Sequence, residues 1–288
     1  MQKLITPYCA DFGKPNIVIK HFPDTESYVL IPKIKSLKNK RVIIYHRLYP
    51  NPEKRIFELL LILSRLKKET EQIELFVPYL PYARQDKESR KGEAISADVL
   101  CGILESSGVK KLTTYDCHFL SRPGSFTRNG LKIENKSAGK QLVVYAKKYF
   151  KKNNKQEKFI VISPDQGASY FTENAQGFSL QKKRKLKKEH TSETGIHAAI
   201  HKMEGEVDVK GKNVCILDDI IAGGGTILRA IEHLRKRGAK KIITGAVHGV
   251  FVNKDVPKKI LRKCEHLFVT DTILQDNKKA KILKLYNF

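Results

Sequence analysis

The sequence predicts an α/β protein of two domains with mainly parallel sheets. Three observations carry that prediction. Apolar runs of strand length alternate with helix-period segments through nearly the whole chain, its 288 residues suffice for two cores of ordinary size, and no segment repeats with a fixed period.

The elements follow in order. Arg41–Tyr45 is an apolar run of strand length, and Pro52–Lys67 follows with Ile56, Leu59, Leu60, Leu63 and Leu66 on one helical face. Ile73–Val77 is the next strand, Pro78–Asp86 a loop, and Ala94–Ser107 a second amphipathic helix started by a turn at Gly92-Glu93. Leu112–Tyr115 then leads into Asp116-Cys117-His118. The polar stretch Arg122–Lys136, with Pro123, Gly124 and Gly130, is the expected linker, dividing residues 1–136 from 137–288.

In the second half a helix is expected over Ala138–Phe150, a strand over Phe159–Ser163 and a turn with a short helix after Pro164. Phe178–Leu180 reads as a strand edge, and the basic segment Lys182–His190, which lacks periodicity, as a mobile loop. A strand at Val214–Leu217, a helix to Arg237, a strand at Ile242–Val247, a short helix near Val256–Arg262, and strands at Leu267–Thr270 and Ile282–Tyr286 complete the pattern.

Composition narrows the functional classes. A 41% hydrophobic content fits a soluble globular chain. The five cysteines (Cys9, Cys101, Cys117, Cys215, Cys264) are odd in number and form no CxxC pair, which argues against a disulfide framework or a zinc site and for a reducing cytoplasm. Residues Met1–Ala10 show no charged leader followed by an apolar core, and the Leu59–Leu63 run is too short to cross a bilayer, so no membrane association is expected. With 55 basic and 30 acidic residues the formal charge is +25, favouring anionic partners: nucleotides, sugar phosphates or nucleic acid.

The most informative stretch is Val214-Cys215-Ile216-Leu217-Asp218-Asp219-Ile220-Ile221-Ala222-Gly223-Gly224-Gly225-Thr226. A buried strand ends in paired carboxylates, and a glycine turn then opens a helix. Glycines let backbone N–H groups approach an anion closely, and the helix directs its positive end at the same place. Thr226 adds a hydroxyl donor. The aspartates repel a phosphate, so they face sugar hydroxyls or a magnesium ion. Neither a P-loop nor a dinucleotide fingerprint has this spacing.

Five further motifs surround it. Phe22-Pro23-Asp24-Thr25-Glu26 offers an aromatic face for a base and carboxylates to accept from an exocyclic amine. In Tyr82-Ala83-Arg84-Gln85-Asp86, Arg84 has the fork to hold a phosphate, Gln85 can reach a base or ribose, and Asp86 can fix the arginine. Asp116-Cys117-His118 puts a histidine after a strand, and Ser163-Pro164-Asp165-Gln166-Gly167 puts at a strand end a carboxylate suited to a hard cation or to capping a helix. Lys182-Lys183-Arg184 concentrates positive charge able to stabilise a transferring phosphoryl group, with Lys183 or Lys185 as alternative cations.

Taken together and in this order, the motifs resemble the ribose-phosphate pyrophosphokinase family, also called phosphoribosyl pyrophosphate synthetases. The resemblance implies two phosphoribosyltransferase-like α/β domains, each a mainly parallel sheet flanked by helices, the first for ATP and the second for ribose 5-phosphate. It implies that Phe22, Asp24, Glu26, Arg84, Gln85 and Asp86 bind ATP, and that Asp218, Asp219, Ala222, Gly223, Gly224, Gly225 and Thr226 bind ribose 5-phosphate. It further implies that His118 and Asp165 hold Mg2+, and that Lys182, Arg184 and His118 act in catalysis. A homo-oligomer, at least a dimer, is expected, because in this family the adenine loop comes from a neighbouring subunit; nucleic acid is not an expected partner.

One departure stands out: Ala222 occupies a position where phosphoribosyltransferases commonly carry an aspartate, as do many synthetases. Its absence weighs more against chemistry at the sugar carbon than against chemistry at phosphorus. A phosphoribosyltransferase, or a catalytically silent synthetase-like regulatory subunit, is the competing reading.

Overall fold

In the computed structural model, residues 1–153, 158–164, 178–179, 181–185, 200–204, 207–275 and 279–285 are described. They fall into two compact units, Met1–Ser137 and Ala138–Leu285.

Unit 1 begins with strand β1 (Gln2–Ile5), a 3-10 turn, and a hairpin of β2 (Val18–His21) and β3 (Ser27–Leu30). Then come β4 (Val42–Tyr45), helix α1 (Pro52–Leu66), β5 (Ile73–Phe76), α2 (Ser96–Ser106), β6 (Val109–Tyr115), β7 (Gly124–Arg128) and β8 (Leu131–Lys136). The main sheet has the order β1-β4-β5-β6-β8-β7, parallel except for the final β8/β7 pair. Every residue of β4 and β5 is buried, as expected of parallel strands covered on both faces. Helix α1 packs Leu59, Ile62, Leu63 and Leu66 into this core, with Ile56 and Leu60 half-buried at its margin.

The expected linker Arg122–Lys136 is not one. Most of it forms the β7/β8 hairpin, and β8 joins the sheet beside β6. The turn is Asn129-Gly130, both at positive φ (45° and 79°), a geometry glycine adopts without a Cβ clash and asparagine tolerates; it matches the right-handed twist of the flanking strands. Alternate residues Leu131, Ile133 and Asn135 then point inward, so a mostly polar segment is still half-buried.

Unit 2 comprises α3 (Gly139–Asn153), β9 (Phe159–Ser163), β10 (Phe178–Ser179), β11 (Gln181–Lys185), β12 (Ile200–Glu204), β13 (Asn213–Ile221), α4 (Gly225–Lys236), β14 (Lys241–Gly249), α5 (Asp255–Leu261), β15 (His266–Thr270) and β16 (Lys281–Leu283). Its sheet is parallel throughout, ordered β10-β9-β13-β14-β15-β16. The chain leaves β9 toward one side and returns to the other. The β9/β13 junction is therefore a topological switch point, the usual place for a ligand at the carboxyl ends of such strands.

The second correction concerns Lys182–His190. Residues 182–185 lie on β11, paired antiparallel with β12 in a separate two-stranded ribbon, while 186–190 lie outside the described residues. A ribbon needs only backbone partners, so a basic run with no apolar period still forms one. Strand β13 also runs further than its apolar core suggests, through both aspartates to Ile221. Among the described residues no helix is long and apolar enough to cross a membrane.

Candidate functional site

The stretch expected to bind ribose 5-phosphate grows out of β13. Its pairing with β9 stops at Ile216, whereas pairing with β14 continues to Ile221 opposite Gly249. Asp218 and Asp219 therefore lie on a strand end that projects beyond β9 at the switch point, 5% and 8% exposed. Each carboxylate accepts from the backbone N–H of the next residue: Asp218 Oδ1 from Asp219 N (3.0 Å) and Asp219 Oδ1 from Ile220 N (2.8 Å).

The turn that follows is shaped by glycine. Gly224 is the N-cap of α4 at φ +75°, and a Cβ there would sit 3.0 Å from Val256 Cγ1 and 3.3 Å from Ile260 Cδ1. Only a residue without a side chain meets both demands. Among the described residues no side-chain cap bond closes the helix, so the N–H groups of its first turn suit another acceptor. Gly223 is exposed with open space where a side chain would go, and Ala222, Gly225 and Thr226 are half-buried. Ala222 O accepts from Val252 N (3.3 Å), tying the loop to the segment after β14. Arg229, one turn into α4, lays its guanidinium 3.4 Å from the place a Gly225 Cβ would take, and its buried Nε has no hydrogen-bond partner among the described residues. No motif pointed to it.

The expected donor residues sit on exposed segments of unit 1. Phe22, Asp24 and Glu26 form the tip of the β2/β3 hairpin, closed by Phe22 N donating to Glu26 O (2.9 Å) and Glu26 N to Asp24 Oδ1 (3.0 Å). Phe22 is 52% exposed, its ring edge-on to Tyr28. The hairpin is anchored just before its tip by a residue that carries no motif: Glu58 of α1, wholly buried, accepts from Tyr8 Oη (3.1 Å), His21 Nε2 (2.9 Å) and Arg55 Nη1 (3.4 Å). Nearby, His46 Nε2 donates to Arg55 O (2.9 Å), and complete burial pushes its imidazole down to about 4.

Arg84, Gln85 and Asp86 follow β5, and His118 follows the adjacent β6, so both segments lie at the carboxyl edge of neighbouring parallel strands. Arg84 and His118 are exposed, Gln85 and Asp86 half-buried. Asp86 does not pair with Arg84, contrary to expectation; its carbonyl accepts instead from Arg128 Nη2 (2.6 Å). Glu93, expected only as part of a helix-starting turn, organises this loop by accepting from Ser89 N (2.9 Å), Arg90 N (3.1 Å) and Gln85 Nε2 (3.3 Å). The Ser89 bond leads the contacts that hold its carboxyl below the usual range. Among the described residues no hydrogen bond or ion pair joins the Phe22–Glu26 tip to the Arg84–Asp86 loop.

Lys182 and Arg184 lie two residues apart on β11, opposite Met203 and His201 of β12 in the register. Asp165 lies outside the described residues. Among those described, no group of three or more metal-ligating side chains occurs.

A family model for the phosphoribosyl transferase domain matches residues 134–283, and one for the N-terminal domain of ribose phosphate pyrophosphokinase matches residues 9–108. Parallel sheets with a glycine turn at a switch point, matched in this way, define an α/β protein of the phosphoribosyltransferase class. The chain is 32% identical to the ribose-phosphate pyrophosphokinase of Sulfurisphaera tokodaii over 93% of its length and 89% of the relative's, and 35% identical to that of Thermococcus kodakarensis over 89% and 85%. It belongs to the ribose-phosphate pyrophosphokinase family. Its fold is also that of a phosphoribosylpyrophosphate synthetase from Mycobacterium smegmatis, with a TM-score of 0.77, 24% identity, and coverage of 99% of this chain and 94% of that one.

Proposed function

We propose that the chain is a ribose-phosphate diphosphokinase, which transfers the pyrophosphoryl group of Mg-ATP to O1 of ribose 5-phosphate and yields phosphoribosyl pyrophosphate and AMP. The observation that carries the proposal is the β13–α4 junction: a carboxylate pair on a projecting strand end, then an uncapped helix N-terminus behind a glycine turn. In a chain of this family, that arrangement suits a sugar phosphate acceptor. Ala222 to Thr226 hold the 5-phosphate through first-turn N–H groups and the Thr226 hydroxyl, while Asp218 and Asp219 meet the ribose hydroxyls or the magnesium.

On the donor side, the Phe22 ring stacks on adenine, with Asp24 and Glu26 accepting from its amino group. Arg84 grips phosphate oxygens and Gln85 fixes the base or ribose. O1 of the sugar attacks the β-phosphorus, the bond from that phosphorus to the AMP oxygen breaks, and the O1 proton passes to solvent or a nearby base. Lys182 and Arg184 offset charge that builds on the transferring oxygens, contributions of about 3 kcal/mol apiece in comparable sites. The chemistry of the available groups, a histidine and a carboxylate, fits Mg2+: as the family resemblance implies, His118 and Asp165 would hold it, and it would neutralise phosphate charge and align the donor.

The exposed hairpin tip, unbonded to the Arg84–Asp86 loop, fits an adenine loop lent to a neighbouring copy, hence at least a homodimer. Five free, buried cysteines fit a reducing cytoplasm. The test is AMP formation from ATP, which is expected only with both ribose 5-phosphate and magnesium present. No AMP over a range of phosphate concentrations overturns the proposal. Consumption of phosphoribosyl pyrophosphate with a free base would favour a transferase, a chemistry that the alanine at 222 disfavours.

A further inference from the structure

The loop from Val77 to Ile95 is 19 residues long and contains neither helix nor strand, yet it carries Arg84, Gln85 and Asp86. A loop of that length is ordered by specific ties or not at all. Its interior is tied by Glu93. From outside, two contacts reach the functional end: Gln85 O accepts from Ala97 N (3.2 Å), and Asp86 O accepts from Arg128 Nη2 (2.6 Å).

Arg128 does more than close that one bond. It is the last residue of β7, directly before the Asn129-Gly130 turn, and its side chain is 20% exposed. Its Nε donates to Asp98 Oδ1 (2.6 Å) in the first turn of α2. Its guanidinium carbon lies 4.5 Å from the centroid of the Phe119 ring, and Phe119 is the neighbour of His118. Asn129 Nδ2 adds a bond to Asp98 O (3.0 Å), fixing the hairpin tip on the same helix end. One planar, permanently charged fork thus touches the Arg84–Asp86 loop, the start of α2 and the His118–Phe119 segment. A lysine lacks the rigid planar fork that meets these directions at once and the flat face that stacks on a ring.

We propose that Arg128 is a positioning residue of the donor site, holding the Arg84–Asp86 loop and the His118 segment in one frame before ATP arrives. This rests on the reading that the 84–86 loop takes ATP. Without Arg128 the loop samples orientations that ATP must select against, so affinity for ATP falls while the acceptor loop, on another unit, is unaffected.

The experiment compares the full-length protein with Arg128→Leu and Arg128→Lys. In the coupled AMP assay, KM for ATP is expected to rise about tenfold in Arg128→Leu and by less in Arg128→Lys, with KM for ribose 5-phosphate unchanged. Independently of activity, tryptic nicking at Arg84, Lys87 and Arg90 is expected to quicken in both variants with a Tm shift under about 2 °C, because Asp98 keeps access to water. Unchanged nicking overturns the positioning role. Both KM values rising together with a large Tm loss also overturns it, since that is the mark of a structural residue only. Wild-type protein that forms no AMP overturns the enzyme reading and the ATP half of this inference, whatever the nicking shows.

Discussion

The two candidate sets of residues, one on each unit, are built from different materials. The acceptor stretch is main chain on a buried scaffold: a strand paired on both sides as far as Ile216, carboxylates almost out of solvent, and a turn whose shape is set by glycine. The proposed donor residues are side chains on exposed segments, steered by carboxylates one step away: buried Glu58 beneath the hairpin and half-exposed Glu93 inside the loop from Val77 to Ile95. Damage to the backbone of the proposed acceptor stretch should therefore be severe and carry a folding cost, whereas donor substitutions should change ATP affinity and leave stability alone.

The largest effect is expected from Asp219→Asn. The amide keeps an oxygen for Ile220 N–H, so the strand end stays in place and only the charge goes. The expected fall in kcat/KM for ribose 5-phosphate is on the order of 10²–10³-fold. Steady-state kinetics with the acceptor varied is the check. A variant within threefold of wild type would mean that the carboxylate does not face the substrate or its metal.

Next comes a pH effect beneath the donor half. His46 titrates near 4 when folded, against about 6.5 in an unfolded chain, because burial disfavours the charged ring. Between those values the unfolded chain binds a proton that the folded one refuses. The stability contributed is whole above pH 6.5 and is lost as pH falls toward 4, amounting to about 3 kcal/mol. Hydrogen exchange of β4 amides should show that loss in wild type and a shallower slope in His46→Gln. Equal slopes would place the acid sensitivity elsewhere.

Gly224→Ala is expected to cost about 1–2 kcal/mol for a left-handed φ, with Val256 and Ile260 forced aside. Tm should drop by a few degrees and KM for ribose 5-phosphate should rise, while KM for ATP stays put. Parallel rises in both constants would erase the distinction drawn between the halves.

That distinction also governs how much could be read in advance. The acceptor stretch was legible because a parallel strand buried on both faces writes an unbroken apolar run, and the glycine turn follows it directly in sequence. Helix α1 was legible from one apolar face, although that face also hides Glu58, whose partners Tyr8 and His21 are far away in the chain. Short or half-polar strands were not legible: β1 has four residues, β2 and β3 form a separate ribbon that buries little, and β7 and β8 passed for a linker despite the Asn129-Gly130 turn signal. The basic run on β11 gave no strand period at all. Residues that act through another side chain leave no motif, so Glu93 and Arg128 emerged only with the fold.

The smallest predicted effect probes the outermost residue. Phe22 is more than half exposed and its ring meets Tyr28 edge-on, so replacing it with alanine removes little packing; stability should change by less than about 0.5 kcal/mol. If its ring stacks on adenine, the loss is felt by ATP alone, at about 1–1.5 kcal/mol or roughly tenfold in KM. Tyrosine at 22 should restore most of the affinity, because a base stacks on any flat ring, whereas leucine should not. Mixing Phe22→Ala protein with an inactive Asp219→Asn partner tests the exposed tip further. Should the hairpin serve a neighbouring subunit, hybrid oligomers will hold sites that pair an intact tip from one chain with an intact acceptor loop from the other. Activity in the mixture would then exceed the sum of the two variants alone, and strict additivity would assign the tip to its own chain.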